Sequence, residues 1–112
     1  MIKRIKEILN RSIDNKEISY GYLGELMKEK KAFLIDVRSS QEYEEGHING
    51  AINLPVYNIE KQITKVVPNK NDVVILYCLT GNRSKKAKKI LEKLGYTEVY
   101  NLKGGIDKIW VS

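Results

Sequence analysis

The stretch at residues 73–94, VVILYCLTGNRSKKAKKILEKL, decides the fold. Its first five residues are apolar and largely β-branched, so they predict a strand that is buried on both faces. Apolar residues then recur at the spacing of an amphipathic helix, at Ala87, Ile90, Leu91 and Leu94. The sequence therefore predicts a strand, a short polar turn and a helix, and it places Cys78 where the strand ends.

The rest of the chain also alternates between strands and helices. Outside the opening stretch, we predict strands at residues 32–35, 51–54 and 98–102. We predict helices at residues 2–9, 19–27, 39–45, 58–66 and 106–110. This alternation is typical of the α/β class with a mainly parallel sheet, and 112 residues are enough for one domain.

Specific signals mark the ends of some of these helices. Ser39 and Glu42 have the spacing of a capping box, and Gly46 is expected to end that helix. Asn58 is a candidate cap for the helix that follows it. The helix at residues 2–9 is expected to pack on the domain through one apolar face, formed by Ile2, Ile5, Ile8 and Leu9.

Two polar motifs follow predicted strands. Asp36, Val37 and Arg38 come at the end of the strand at residues 32–35, and Cys78 follows the strand at residues 73–77. In parallel α/β sheets, ligands bind beyond the carboxyl ends of the strands. We therefore expect both motifs at the same edge of the sheet.

The composition excludes several classes of protein. One cysteine and one histidine cannot form an internal disulfide or a Cys/His zinc site, and no metal or cofactor is expected. No stretch has the length and apolarity of a secretory signal or a transmembrane helix, so no membrane partner is expected. A lone cysteine suits a reducing compartment, and we predict a cytoplasmic protein.

The net charge of +6 is interpreted mainly as a solubilising lysine surface. The lysines are spread along helices and are not interleaved with aromatic residues, so no nucleic-acid partner is expected. A small anionic substrate is compatible with this charge, because a positive potential raises the local concentration of anions.

The loop after the central strand is suited to hold a negative charge. Gly81 can adopt a positive φ, so the N–H groups of residues 79–83 can point inward as an anion-binding nest. A helix beginning near Ser84 adds unpaired N–H groups and a dipole, and Arg83 adds a cation. These features favour the thiolate of Cys78 and predict a nucleophile. The alternatives are that Cys78 is a small buried hydrophobe and that Ser84 is only a helix-start hydroxyl.

Three motifs resemble those of the rhodanese family, in the order in which that family carries them. Residues 78–84, CLTGNRS, resemble its active-site loop, Cys-x-x-Gly-x-Arg-Ser. Residues 36–38, DVR, followed by EY at 42–43, GHI at 46–48 and GA at 50–51, resemble a second signature. Residues 102–105, LKGG, with Trp110, resemble its C-terminal motif. The resemblance spans residues 18–110, so residues 1–112 are interpreted as a single rhodanese domain with a short extra helix at about residues 2–10.

The resemblance implies a three-layer fold, with a central, mainly parallel sheet flanked by helices, and a sulfurtransferase that works by double displacement. Cys78 would attack the outer sulfur of a small anionic donor such as thiosulfate, whose sulfonate Arg83 would bind. The persulfide on Cys78 would then pass its sulfur to cyanide, a thiol or a protein acceptor. The loop residues that the resemblance assigns to substrate binding are Leu79, Thr80, Gly81, Asn82, Arg83 and Ser84.

Three further residues are assigned supporting roles. Asp36 and Arg38 are expected to fix the neighbouring loop by hydrogen bonds or by an ion pair with Glu42, and substrate binding by Arg38 ranks below that role. His47 is the only histidine, and its motif predicts that it pins the turn before Ala51. The alternative is that His47 acts as a general base.

Two rival functions stay open. Cysteine phosphatases and arsenate reductases related to the rhodaneses have five residues between Cys and Arg. Here four residues separate Cys78 from Arg83, and this shorter loop suits a single sulfur atom. The second rival is a non-enzymatic module for docking or sensing. Such domains commonly lack the cysteine, so Cys78 argues against docking alone, and a redox sensor stays an alternative.

Overall fold

The computed structural model describes residues 16–29 and 31–111, so the helix predicted at residues 2–9 lies outside the described residues. The assignment of residues 1–112 to one domain stays a prediction. The strands described are β1 (Glu17–Ile18), β2 (Ala32–Asp36), β3 (Ile52–Asn53), β4 (Val73–Tyr77) and β5 (Val99–Leu102). The helices described are α1 (Tyr20–Glu29), α2 (Ser40–Glu45), α3 (Ile59–Val66), α4 (Asn82–Lys93) and α5 (Gly105–Val111).

The strands form one sheet in the order β1-β5-β4-β2-β3, and each neighbouring pair is parallel. The predicted α/β fold with a central, mainly parallel sheet is therefore confirmed. β4 lies in the middle of the sheet, as its uninterrupted apolar sequence predicts. A strand in that position has a strand on each side and is covered on both faces, so none of its side chains meets solvent.

The side chains of β4 alternate between two apolar clusters, one on each face of the sheet. The first, third and fifth join the cluster covered by α1 and α5, and the second and fourth join the cluster covered by α3 and α4. All of them are 0% exposed, and full burial of one such side chain contributes about 1.5–3 kcal/mol. Cys78 continues this alternation on the α3/α4 face, so the packing of the strand also fixes the position of the thiol.

One of the two helix caps predicted from the sequence is present in the structure. Ser39 and Glu42 form the predicted capping box, in which each side chain accepts a hydrogen bond from the backbone N–H of the other residue, and Gly46 ends α2. Asn58 precedes α3, but its side chain makes no capping hydrogen bond, so that prediction is wrong. The backbone of Asn58 has a φ of −125° and a ψ of −1°, which is not the extended geometry that lets a cap side chain reach back.

The sequence pattern does not predict β1, and it misplaces several element ends. β1 is held on β5 by backbone bonds of 2.9 Å, from Asn101 N–H to the Lys16 carbonyl and from Lys103 N–H to the Ile18 carbonyl. Two residues are too few to show an alternating pattern. β3, predicted at residues 51–54, covers Ile52–Asn53, and α4 begins two residues before the predicted start near Ser84.

The register of the sheet brings the two polar motifs together. Asp36 in β2 is aligned with Tyr77 in β4, and the Val37 N–H donates to the Tyr77 carbonyl at 2.9 Å. Arg38 and Cys78 therefore follow neighbouring strands at one edge of the sheet, where the sequence predicts a site.

Candidate active site

Cys78 lies at the carboxyl end of β4, inside the short polar loop. Its side chain is 1% exposed. Two backbone N–H groups donate to its Sγ, from Gly81 at 3.0 Å and from Ser84 at 3.4 Å. Ser84 belongs to the first turn of α4, whose amino end carries a partial positive charge. Both N–H groups and the helix end stabilise negative charge on the sulfur.

Gly81 gives the loop its conformation. Its φ of +113° lies in the left-handed region, which glycine adopts without a steric penalty. The sequence predicts this role for Gly81, and it expects donors among the N–H groups of residues 79–83 and of the helix that begins near Ser84. In the structure, the donors are Gly81 and Ser84. Ser84 is a donor because α4 begins at Asn82, which places Ser84 within the first turn of the helix.

The other residues of the loop make different contacts. Leu79 is half-buried and packs against the α1/α5 cluster, whereas Thr80 and Asn82 are exposed. The substrate-binding roles that the resemblance gives to these residues stay predictions.

The Ser84 hydroxyl closes the loop behind the thiol. Ser84 is fully buried, its O–H donates to the Gly81 carbonyl at 3.1 Å, and its Oγ lies 3.7 Å from Sγ. A hydroxyl has one hydrogen, and here Gly81 accepts it, so in the contact with sulfur the thiol is the donor. Because a hydroxyl hydrogen can rotate, the same group can donate to the thiolate once the thiol proton has left.

The backbone of α5 supports the loop from its other side. The Ile106 N–H donates to the Cys78 carbonyl at 3.0 Å, and the Asp107 N–H donates to the Leu79 carbonyl at 2.9 Å. Gly105 has a φ of +67°, and a Cβ at this position would lie 2.6 Å from the Cys78 carbonyl oxygen. The sequence predicts only that Gly104 and Gly105 end the preceding strand, and this role of Gly105 was not predicted. The pair of glycines before a helix is the signal that could have indicated a close backbone approach.

Arg83 forms a two-pronged ion pair with Glu42. Nη1 donates to Oε1 at 2.6 Å, and Nη2 donates to Oε2 at 3.0 Å. Glu42 also accepts from the Ser39 backbone N–H at 3.1 Å, so the capping box of α2 positions the carboxylate. Hydrogen bonding by Arg83 is the largest cause that lowers the pKa of Glu42, to about 2. The sequence analysis left open hydrogen bonds or an ion pair with Glu42 as the way in which Asp36 and Arg38 fix the loop, and the ion pair is not found, because Arg83 binds the Glu42 carboxylate.

Asp36 and Arg38 form a buried pair next to the loop. The Arg38 guanidinium donates to Asp36 Oδ2 at 2.8 Å and to the Gly46 carbonyl at 2.6 Å. The Arg38 backbone N–H donates to Asp36 Oδ1 at 2.9 Å, and the two side chains are 2% and 0% exposed. Loss of one partner from such a pair leaves a buried charge uncompensated and typically costs about 3–5 kcal/mol. The pair ties the end of β2 to the end of α2.

His47, in the loop that follows α2, contacts Tyr43 of that helix. The Tyr43 carbonyl accepts a hydrogen bond from His47 Nδ1 at 2.7 Å, and the two rings stack at 3.6 Å between centroids. The Tyr43 hydroxyl donates to the Ala51 carbonyl at 2.6 Å, and the Ile48 N–H donates to the Tyr77 hydroxyl at 3.0 Å. These contacts join α2, the turn before residue 51 and β4. Sγ receives its hydrogen bonds from other residues, so no contact in the described part of the chain supports the general-base alternative for His47.

A groove lies on the α1/α5 face of the sheet, opposite the face that carries the Cys78 side chain. Its volume is about 720 Å³, and mostly apolar side chains of α1, α5 and the loop at residues 47–50 line it. The Cys78 side chain lies on the α3/α4 face and is not part of this lining.

Among residues 16–29 and 31–111, no group of three or more His, Cys, Asp and Glu side chains could hold a metal ion. None of the helices described is long and apolar enough to cross a bilayer.

Replacing Glu42 with glutamine is expected to lower the free energy of unfolding by roughly 0.5–1 kcal/mol at about pH 7, because the ion pair with Arg83 is partly exposed. Glutamine retains the capping box, so the variant tests the charge. The folded-state pKa of about 2 lies below the ordinary value of 4.5. The stabilisation is therefore present above about pH 5 and is lost as the pH falls toward 2.

Urea unfolding of both proteins at about pH 7 and about pH 3 measures this difference. Glu44→Gln, on the exposed side of the same helix, is the control, and we expect it to change stability by less than about 0.5 kcal/mol. An advantage of the wild type over Glu42→Gln that is equally large at both pH values would contradict the assignment of the ion pair.

Comparison with known proteins places these features in a family context. A family model of the Rhodanese-like domain matches residues 19–111. The thiosulfate sulfurtransferase PspE from Escherichia coli (strain K12) is 46% identical over 75 residues, which cover 67% of this chain and 71% of that protein. A tRNA uridine(34) hydroxylase from Buchnera aphidicola is 37% identical over 87 residues, and the match covers 74% of this chain but 28% of that protein. The structure of the human single-domain sulfurtransferase TSTD1 aligns with a TM-score of 0.74 at 28% identity, covering 87% of this chain and 97% of TSTD1.

Proposed function

The chain belongs to the rhodanese family, and from this membership we propose that it is a sulfurtransferase whose Cys78 carries the transferred sulfur. The observation that carries the proposal is the pair of backbone N–H groups, from Gly81 and Ser84, that donate to Sγ at 3.0 and 3.4 Å. Similarity to a thiosulfate sulfurtransferase supports thiosulfate, or a donor like it, as the source of sulfur.

In the first half of the proposed cycle, the Cys78 thiolate attacks the outer sulfur of thiosulfate. A new S–S bond forms to Sγ, the S–S bond of the donor breaks, and sulfite leaves with the electron pair. No external oxidant or reductant is needed, because the oxidation state of the transferred sulfur is conserved. The N–H groups of Gly81 and Ser84 favour the anionic nucleophile that starts this step.

In the second half of the cycle, a nucleophilic acceptor attacks the outer sulfur of the persulfide. The bond between that sulfur and Sγ breaks, and the Cys78 thiolate returns with the electron pair. Cyanide would give thiocyanate, and the thiolate of a small molecule or of a protein would give a persulfide. The departing charge appears on Sγ, where the N–H groups of Gly81 and Ser84 already point, so the cradle stabilises this step as well.

Arg83 is proposed to bind the sulfonate of the donor. A guanidinium has five N–H donors, and the ion pair with Glu42 uses two of them, so others remain for an anionic substrate. Hydrogen bonding to Glu42 raises the pKa of Arg83, and Arg83 follows Cys78 by five residues in the same loop. In this proposal Glu42 positions the cation, and Asp36, Arg38 and His47 hold the adjoining loop.

Two observations favour this function over its rivals. Four residues separate Cys78 from Arg83, and the loop closes on one sulfur atom, whereas a phosphatase must surround a tetrahedral oxyanion. A docking module has no use for N–H groups directed at a buried thiol. We further propose a cytoplasmic location with a thiol or protein acceptor, because a reducing compartment returns a lone cysteine to its free form.

Thiocyanate release from thiosulfate and cyanide tests the proposed function directly. We expect the purified protein to produce thiocyanate at a rate proportional to its concentration, with a hyperbolic dependence on thiosulfate. The matched assay replaces both substrates with an aryl phosphate, from which no phosphate release is expected. Hydrolysis of the aryl phosphate with no thiocyanate formed would replace the proposed function with the phosphatase alternative.

A further inference from the structure

A crevice lined by residues with charged and amide side chains lies between α4 and the β1 edge of the sheet. Its volume is about 380 Å³, and its lining residues are Glu17, Lys85, Lys88, Lys89, Glu92 and Asn101. Lys85 follows Ser84 directly, so the crevice begins one residue away from an N–H donor to Sγ.

The three lysines of the crevice lie on one side of α4. Positions 85, 88, 89 and 92 have the spacing i, i+3, i+4 and i+7, so their side chains leave the helix in similar directions. Lys88 donates to Glu92 Oε2 at 2.9 Å, whereas Lys85 and Lys89 are exposed. These cations border a concave surface, where their fields act together on a bound anion.

Asn101 supplies an unused hydrogen-bonding group to the same crevice. It lies in β5, is 4% exposed, and its Oδ1 has no hydrogen-bond partner among the residues that the structure describes. A buried acceptor without a partner carries a desolvation penalty, because it has lost its hydrogen bonds to water and gained none in the protein. Glu17 is aligned with Asn101 in the neighbouring strand, so both side chains lie on the same face of the sheet. A ligand that brings an N–H group to this floor removes the penalty.

We propose that this crevice docks an acidic polypeptide segment of the partner that exchanges sulfur with Cys78, a proposal that rests on the proposed function. Carboxylates of the segment pair with Lys85, Lys88 and Lys89, and a backbone N–H of the segment donates to Asn101 Oδ1. A segment bound here lies beside the amino end of α4. It therefore holds the reacting group of the partner close to the loop that contains Cys78, which raises its effective concentration.

The same features fit a nucleic acid less well. A nucleic-acid strand carries one phosphate charge about every 3.4 Å, and in the crevice these charges would meet the carboxylates of Glu17 and Glu92. Single strands also bind by stacking bases on aromatic rings, and the lining residues, all in the described part of the chain, include none. A polypeptide can place its carboxylates at the lysines and uncharged groups elsewhere.

The test compares two synthetic peptides as sulfur acceptors. They have equal length and end in one cysteine, but one has glutamate where the other has glutamine. The protein is loaded with thiosulfate and desalted before either peptide is added. We expect the glutamate peptide to accept sulfur about tenfold faster at about 0.05 M salt and to lose this advantage at about 0.5 M, because salt screens the charges. Equal rates at the lower salt concentration overturn the proposal.

Two matched double variants test whether the glutamate peptide binds at the crevice. Lys88→Ala/Lys89→Ala is expected to remove the advantage of the glutamate peptide. Lys61→Ala/Lys65→Ala removes two exposed lysines from α3 and is expected to keep it. An equal loss in both variants would assign the effect to overall charge and overturn the proposal. An RNA oligonucleotide that slows the transfer more strongly than an excess of cysteine-free glutamate peptide would also overturn it.

Two further measurements distinguish peptide docking at the crevice from sulfur transfer by Cys78. Thiocyanate release uses no peptide, and we expect it to stay within about twofold of the wild type in both double variants. Fluorescence anisotropy of a labelled, cysteine-free glutamate peptide measures docking without sulfur transfer. Peptide binding that is lost in Lys88→Ala/Lys89→Ala supports the docking site even if no thiocyanate forms, and absence of binding overturns it even if thiocyanate forms.

Discussion

The Cys78→Ser variant is expected to release thiocyanate no faster than a mixture of thiosulfate and cyanide without protein. Serine keeps the approximate shape of the side chain, but its hydroxyl is not ionised near neutral pH and cannot serve as the sulfur carrier. We expect kcat/KM to fall by about a thousandfold or more. The measurement is thiocyanate formation over a range of thiosulfate concentrations.

The control for this substitution is Ser84→Ala. It removes the hydroxyl that lies 3.7 Å from Sγ and keeps the Ser84 N–H donor, so we expect a loss of less than about tenfold. Urea unfolding establishes that both variants fold, with stabilities within about 1–2 kcal/mol of the wild type. Clear turnover by folded Cys78→Ser would show that another group carries the sulfur.

The Gly105→Ala variant is expected to lose both stability and activity. The new Cβ would lie 2.5 Å from the Leu79 carbonyl oxygen and 2.6 Å from the Cys78 carbonyl oxygen, and these backbone atoms cannot move without displacing the loop. A residue other than glycine at a φ of +67° adds about 1–2 kcal/mol of its own. With the steric term, we expect the free energy of unfolding to fall by about 2–5 kcal/mol. Thermal or urea unfolding measures the loss, and the thiocyanate assay measures its effect on the site.

The Gly50→Ala variant separates the cost of a positive φ from the cost of the steric clash. Gly50 has a φ of +89°, but a Cβ there would meet no atom within 4 Å. Its substitution therefore lowers the free energy of unfolding only through the unfavourable backbone conformation. We expect a loss of about 1–2 kcal/mol and activity close to that of the wild type. If Gly105→Ala were no less stable than Gly50→Ala, the close approach of α5 to the loop would not be a constraint on the site.

Local patterns were sufficient for the features that depend on residues close together in the chain. The uninterrupted apolar run of β4 predicts a central strand, because its neighbours and both covering layers leave it no exposed face. The spacing of Ser39 and Glu42 predicts a capping box that the structure contains. The glycine three residues after Cys78 predicts a turn that directs N–H groups at the sulfur, and one of the two donors is that glycine.

Features that depend on contacts between distant segments were not predictable in this way. Glu42 and Arg83 are 41 residues apart in sequence, and their pairing depends on α2 and α4 meeting at the same edge of the sheet. β1 exists as a strand because β5 offers it backbone partners, and its two residues carry no pattern of their own. The close contact at Gly105 likewise depends on where α5 packs. No local pattern in the sequence encodes these distances.

The most direct test of the proposal that Cys78 carries sulfur is mass spectrometry after incubation with thiosulfate in the absence of a reducing agent. We predict that the intact protein gains the mass of one sulfur atom, that the fragment containing Cys78 carries it, and that cyanide removes it. A protein that gains no sulfur, or that gains it equally when Cys78 is replaced with alanine, would contradict the proposal.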